Sequence, residues 1–229
     1  MKLLLIRNGS NMINATKKAY DEILRRILTL ELPPGTYISR NDIAEQLEIS
    51  KTPIREALQL LEQDKLVKIF PQSKTLVSKI NVDEIKKSNF LRVAIEAEVI
   101  KTMIEKYDRE ALKRLEANLK KQESVLEDYE KLFEFDELDK EFHSIMFESV
   151  GQEELNDLLR SKMGHKKRAN RLELPKNGKV KKLYEDHKSI YDAIKEKDKK
   201  KADECIRTHL SRTISRIEEL KKEKPHFFD

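Results

Sequence analysis

Ser50-Lys51-Thr52-Pro53-Ile54-Arg55-Glu56-Ala57-Leu58 reads as the capped start of a helix whose first turn carries small hydroxyls and two cations. Ser50 suits the N-cap, and Pro53 is tolerated because it falls in the first turn, where no intrahelical N–H bond is lost. Ile54, Ala57, Leu58 and Leu61 recur at helical spacing as an apolar stripe, which turns Lys51, Thr52 and Arg55 outward. A short helix with a cationic leading edge suits insertion into the DNA major groove. An ordinary surface helix has the same local pattern, so the flanking chain decides.

Upstream, Tyr20, Ile23, Leu24, Ile27 and Leu28 predict an amphipathic helix over 16–30, which Leu32-Pro33-Pro34-Gly35 stops. Ser39 stands three residues before Asp42 as a capping-box-like start, and Ile43, Ala44 and Leu47 supply the buried face of a second short helix. Glu48-Ile49 then turns tightly into Ser50, the helix-turn-helix pattern. Downstream, Leu66–Phe70 and Thr75–Ile80 are β-prone runs around the polar loop Pro71-Gln72-Ser73-Lys74, which predicts a hairpin. Residues 14–80 therefore read as a winged helix-turn-helix. Residues 1–13 read as a flexible leader whose apolar run is too short for a signal peptide, with Met12 as an alternative start.

These residues resemble the GntR family of bacterial transcription regulators, in Leu32-Pro33-Pro34-Gly35, Ile43-Ala44, Ser50 to Leu58 and the closing Leu66-Val67. The resemblance implies that Ser50, Lys51, Thr52 and Arg55 meet an operator, Lys51 and Arg55 on guanine edges and Ser50 and Thr52 on phosphates. Two positions depart from the family pattern. Ser39-Arg40-Asn41-Asp42 puts Asn41, next to Arg40, where many relatives carry a DNA-contacting Arg, and Lys74 stands where the wing usually turns on Gly.

Composition narrows the class. The 229 residues are 39% charged with few Gly and Pro and no Trp, which points to a helical, cytoplasmic protein. The single Cys205 excludes an internal disulfide framework and a Cys-based zinc site. With 47 basic against 42 acidic residues the net charge of +5 says little about partners, because most charges serve solvated helix faces.

From 81 to 229 the pattern is helical throughout, in segments near 83–104, 108–129, 131–150, 152–172, 178–196 and 199–222. Breaks are expected at Tyr107-Asp108, at Gly151, around 174–178 and at Lys197-Asp198. The expected fold is mainly α, a winged helix-turn-helix followed by an all-α antiparallel bundle. Asp139 and His143 share one face with Phe135, Phe142, Met146 and Val150. His187 aligns with Leu183, Ile190 and Ile194, and His209 with Ala202, Ile206 and Ile217. Each alone is consistent with a hydrogen-bonded core histidine. Together they bury one acid and three imidazoles, at a cost of several kcal/mol that a shared divalent metal removes. The donor set suits Zn, Ni, Fe(II) or Mn.

Asp139-Lys140-Glu141-Phe142-His143, Glu185-Asp186-His187 and Thr208-His209-Leu210 resemble the FCD effector domain of FadR-type GntR regulators, in a VanR-like six-helix version. The resemblance implies a metal on Asp139, His143, His187 and His209, with a small carboxylate effector completing its coordination. Arg92 and Glu96 match the family's Arg-x-x-x-Glu; Arg92 either pairs with the effector or makes an outward salt bridge to Glu96. The basic run 162–171 reads as a solvated face, from which Arg168 or Arg171 is the candidate to turn inward to the effector. The expected protein is a ligand-responsive homodimeric repressor on a palindromic operator. A direct metal sensor and a metalloenzyme are the alternatives, and against the enzyme all four polar groups are used as ligands.

Overall fold

The computed structural model describes residues 2–71, 74–126, 132–172 and 179–229; Gln72 and Ser73 of the expected wing loop and the expected break at 174–178 lie outside them. In chain order the elements are α1 (Lys2–Leu28), β1 (Tyr37–Ile38), α2 (Arg40–Leu47), α3 (Lys51–Gln63), β2 (Val67–Ile69), β3 (Thr75–Val77), α4 (Val82–Lys106) and α5 (Arg109–Ser124). They continue with α6 (Leu132–Val150), α7 (Glu153–Ser161), α8 (Gly164–Leu172), α9 (Lys179–Lys195), α10 (Lys199–Glu223) and a 3-10 turn at Pro225–Phe227. Among the described residues no helix is long and apolar enough to cross a membrane.

In the N-terminal unit, Ala19, Ile23 and Ile27 of α1 bury against Ile54, Ala57, Leu58 and Leu61 of α3. Two polar ties fix the crossing: Thr16 Oγ1 donates to Glu56 Oε2 at 2.7 Å, and Tyr20 Oη to Asp64 Oδ2 at 2.9 Å. Ser39 caps α2, its Oγ accepting from Asp42 N at 3.3 Å. The turn into α3 rests on Glu48, in the left-handed region at φ 55, and on an Ile49 N–H bond to Ala44 O. This is the expected helix-turn-helix. The wing is a three-stranded antiparallel sheet in the order β1-β3-β2, with Ile38 and Ile69 both opposite Thr75. The Leu32–Gly35 turn supplies this third strand, because Gly35, at φ 86, donates its N–H to Val77 O at 2.8 Å.

The structure corrects three expectations. The expected leader is continuous with α1, since the helix starts at Lys2; Gly9 costs a helix only about 1 kcal/mol, too little to end one. Segment 152–172 is two helices, and the second packs with the N-terminal unit, as do residues 220–229. Basic run 162–171 is therefore no solvated face: His165, Lys166 and Arg168 are buried. Gly164 opens α8 hard against Leu66, where a Cβ would come 2.6 Å from the Leu66 Cδ2. His165 Nδ1 accepts from Asn81 N at 3.0 Å while its Nε2 lies 3.2 Å from Lys65 O, so the ring spans the two ends of the wing. The C-terminal residues add a parallel bridge between Ile80 and Phe228, with Ile80 N donating to Phe227 O at 2.8 Å.

The other unit is all-α, from α4, α5, α6, α7, α9 and α10, around a core that includes Ile100, Met103, Leu115, Phe142, Phe147, Ile190 and Ile206. The breaks expected at Tyr107-Asp108, Gly151 and Lys197-Asp198 are helix boundaries, whereas α5 stops at Ser124, short of the expected 129. Asp108 caps α5 by accepting from Glu110 N at 2.8 Å, Gly151 stops α6 at φ 73, and Lys197 turns at φ 58 before Asp198 caps α10.

Phe228 is 2% exposed, so Phe228→Ala should remove about 3–5 kcal/mol from the N-terminal unit. Hydrogen exchange at the Ile80 amide should accelerate accordingly; an unchanged rate would mean the C-terminal residues contribute nothing to this unit.

Candidate metal centre and nucleic-acid interface

Three helices of the C-terminal unit converge on one point. Asp139 and His143 stand one turn apart on α6, His187 comes from α9 and His209 from α10. One ligand atom from each lies within 4.8 Å of the other three. His187 is fully buried, His143 and His209 nearly so, and Asp139 remains partly exposed. The rings pack tightly, His187 stacking on Phe142 with centroids 4.4 Å apart.

The surroundings orient the rings. His187 Nδ1 donates to Gln122 Oε1 at 2.9 Å, which leaves Nε2 facing Asp139 Oδ1 at 3.4 Å. Gln122 Nε2 in turn donates to Asn118 Oδ1, and Asn118 Nδ2 to Glu141 Oε2 and Leu138 O. His143 Nδ1 lies 2.9 Å from Glu96 Oε2, close but out of hydrogen-bonding alignment. His209 Nδ1 lies 3.6 Å from Asp186 Oδ2, too far for a hydrogen bond. Among the described residues, the buried nitrogens His143 Nε2 and His187 Nε2 have no hydrogen-bond partner. Orphaned inward nitrogens with occupied or flanked outer ones are what a metal site requires.

Charge states agree. Burial pushes His143 and His209 below the ordinary histidine range, partly opposed at His143 by Glu96 and reinforced at His209 by the neighbouring imidazoles. Burial would raise the Asp139 carboxyl, but His187, His143 and Arg92 together hold it well below the usual carboxylate range. Neutral imidazoles beside an ionised carboxylate are the forms that ligate a divalent ion.

Arg92 and Glu96 form a salt bridge through Arg92 Nε and Glu96 Oε1, and it is buried rather than outward, at 8% and 2% side-chain exposure. Arg168 does not join this cluster. It belongs to the N-terminal unit, fully buried, its Nη1 donating to Ser78 O at 2.5 Å and its Nη2 2.9 Å from His165 Nδ1, and burial pulls its guanidinium down to about 10. Sequence reasoning had it turn inward, but toward an effector rather than toward Ser78 and His165 of the N-terminal unit. It missed Gln122 and Asn118, although these polar residues share a helical face with Ala111 and Leu115, and that break in an apolar stripe was the available signal.

In the N-terminal unit, Lys51, Thr52 and Arg55 are exposed on the first turns of α3. Ser50 occupies the N-cap position with extended backbone, yet its hydroxyl makes no cap bond, contrary to the expected cap. Asn41 is exposed beside the half-buried Arg40 at the start of α2. Lys74 leads into β3 with Nζ 5.9 Å from the centre of the Tyr37 ring, and Tyr37 is 64% exposed. A helix start of uncommitted hydroxyls and cations beside a β-wing is the surface by which winged helices meet duplex DNA.

Comparison with known proteins agrees with both units. Residues 15–77 match the bacterial regulatory proteins of the gntR family, and residues 89–212 match the FCD domain. The chain is 32% identical over 209 residues to an HTH-type transcriptional regulator in an unstable DNA locus of Streptomyces ambofaciens, covering 91% of this chain and 87% of that one. It is 25% identical over 207 residues to the HTH-type transcriptional repressor RspR of Escherichia coli, covering 90% of each. Among solved structures, E. coli McbR/YncC superposes with a TM-score of 0.69 at 20% identity, over 90% of this chain and 97% of that one. The fold and both matches define a DNA-binding transcription regulator rather than an enzyme. The chain belongs to the GntR family and carries an FCD effector domain.

Gln122→Leu should leave all four ligands in place yet weaken zinc binding about 10- to 100-fold, read by competition with a chelating dye. His187→Ala should abolish stoichiometric binding, and a protein that keeps its full zinc content without His187 would exclude that ligand.

Proposed function

We propose that this regulator is a cytoplasmic repressor that binds a palindromic operator as a homodimer and responds to a small carboxylate metabolite at a divalent-metal site. The observation that carries the reading is the convergence of Asp139 with the buried His143, His187 and His209, where His143 Nε2 and His187 Nε2 are unpartnered among the described residues. Those four residues would hold zinc, nickel, iron(II) or manganese, which supplies a positive charge and open coordination positions for a carboxylate. Six helices, α4, α5, α6, α7, α9 and α10, form the unit around them and support a VanR-like form of the FCD domain. In this division residues 14–80 read DNA and residues 81–229 sense and dimerise.

Lys51 and Arg55 read base edges, Ser50 and Thr52 hold phosphates, and Arg40, Asn41 and Lys74 extend the contact from α2 and the wing. The free hydroxyl of Ser50 and the exposure of Lys51, Thr52 and Arg55 support these roles. A dimer sets two α3 helices about 34 Å apart, one turn of DNA. Effector binding needs a differential affinity of only about 1–3 kcal/mol between DNA-competent and incompetent states.

On a duplex selected by the protein from a random pool, Arg55→Ala should cost about 1–3 kcal/mol of specific binding at fixed salt while the thermal transition stays put. Equal affinity of variant and parent would remove Arg55 from base recognition. Titrating zinc and simple carboxylates separately in the same assay tests the signal: DNA affinity that follows zinc alone replaces the metabolite with direct metal sensing.

A further inference from the structure

We propose that Glu96, clamped by Arg92, is a positioning residue that fixes the His143 imidazole with its proton on Nδ1, leaving Nε2 as the nitrogen turned to the ligand cluster. This rests on the reading of Asp139, His143, His187 and His209 as a metal site. The pair stands four residues apart on α4, inside an apolar core where two ordinary hydrophobic residues would pack without desolvating charge. Taking two charges out of water costs several kcal/mol per ion, which one salt bridge seldom repays, so the pair calls for a role beyond stability. Its geometry supplies one. Glu96 Oε1 is taken by the Arg92 Nε–H, while Oε2 is buried, lacks a hydrogen bond and stands 2.9 Å from His143 Nδ1. A small rotation of either group makes that contact a hydrogen bond. The opposite tautomer would set the Nδ1 lone pair against a carboxylate oxygen, which is repulsive.

The other two imidazoles follow the same layout. His187 Nδ1 faces Gln122 Oε1 from α5, and His209 Nδ1 faces Asp186 Oδ2 from α9 at the longer 3.6 Å. Each histidine thus has an acceptor oxygen on its Nδ1 side from a helix other than its own. Glu96 differs from Gln122 in bearing charge, and Arg92 neutralises that charge.

The test uses the full-length protein and two double variants that leave no unpaired buried charge: Arg92→Met with Glu96→Gln, which keeps an acceptor oxygen, and Arg92→Met with Glu96→Leu, which does not. Imidazole nitrogen chemical shifts of His143 in metal-free protein report which nitrogen carries the proton, and chelator competition reports the zinc dissociation constant. The parent and the Gln variant should show Nδ1–H and a bare Nε2. The Leu variant should lose that bias and bind zinc about 10- to 100-fold more weakly than the Gln variant. A parent with its proton on Nε2, or a Leu variant matching the Gln variant in both readouts, overturns the proposal. A parent that binds no zinc defeats the metal reading, while the tautomer measurement still decides the part played by Glu96.

Discussion

The demand that three imidazoles be buried together beside a carboxylate governs the C-terminal unit. Unpaired polar groups in an apolar core cost several kcal/mol each, so every atom in the cluster must find a partner. Of the outward nitrogens, His187 Nδ1 bonds Gln122 from α5, while His143 Nδ1 and His209 Nδ1 face Glu96 of α4 and Asp186 of α9 without a hydrogen bond, and the inward atoms face each other within 4.8 Å. Burial pushes His143 and His209 toward the neutral form, and the surrounding imidazoles and Arg92 hold the Asp139 carboxyl low. Position and protonation state are thus settled by one packing arrangement.

The N-terminal unit obeys a different constraint. Its apolar core is small, and α3 must spend one face on α1 while presenting the other to a partner. Segments distant in sequence extend that core. α8 places His165 and Arg168 between Lys65, Ser78 and Asn81, and the C-terminal residues bridge to Ile80. The wing is therefore held at its base by groups outside the helix-turn-helix, with backbone carbonyls at both ends of the hairpin satisfied by buried donors.

Much of this was legible in advance. The stripe of Ile54, Ala57, Leu58 and Leu61 located α3, and Asp108, Gly151 and Asp198 marked helix boundaries, because caps and left-handed turns demand particular residues locally. The alignment of Asp139 with His143, and of His187 and His209 with apolar neighbours, placed these side chains on covered faces, since a period of 3.6 residues reports which side of a helix is covered. What periodicity cannot report is what covers it. The third strand Tyr37–Ile38 is too short to leave a pattern of its own and exists through its pairing with β3.

The chain alone therefore determined the helix-turn-helix, the all-α remainder and the inward faces that carry Asp139, His143, His187 and His209, all of which follow from local conformational preference and the sidedness of helices. Only tertiary structure decided that α8 packs with the N-terminal unit, that Arg168 is buried there, that Arg92 turns inward on Glu96, and that Gln122 orients His187. The physical reason is the same in each case. A charged or amide side chain reads as solvated until a partner at long sequence separation supplies the hydrogen bond or counter-charge that makes its burial tolerable.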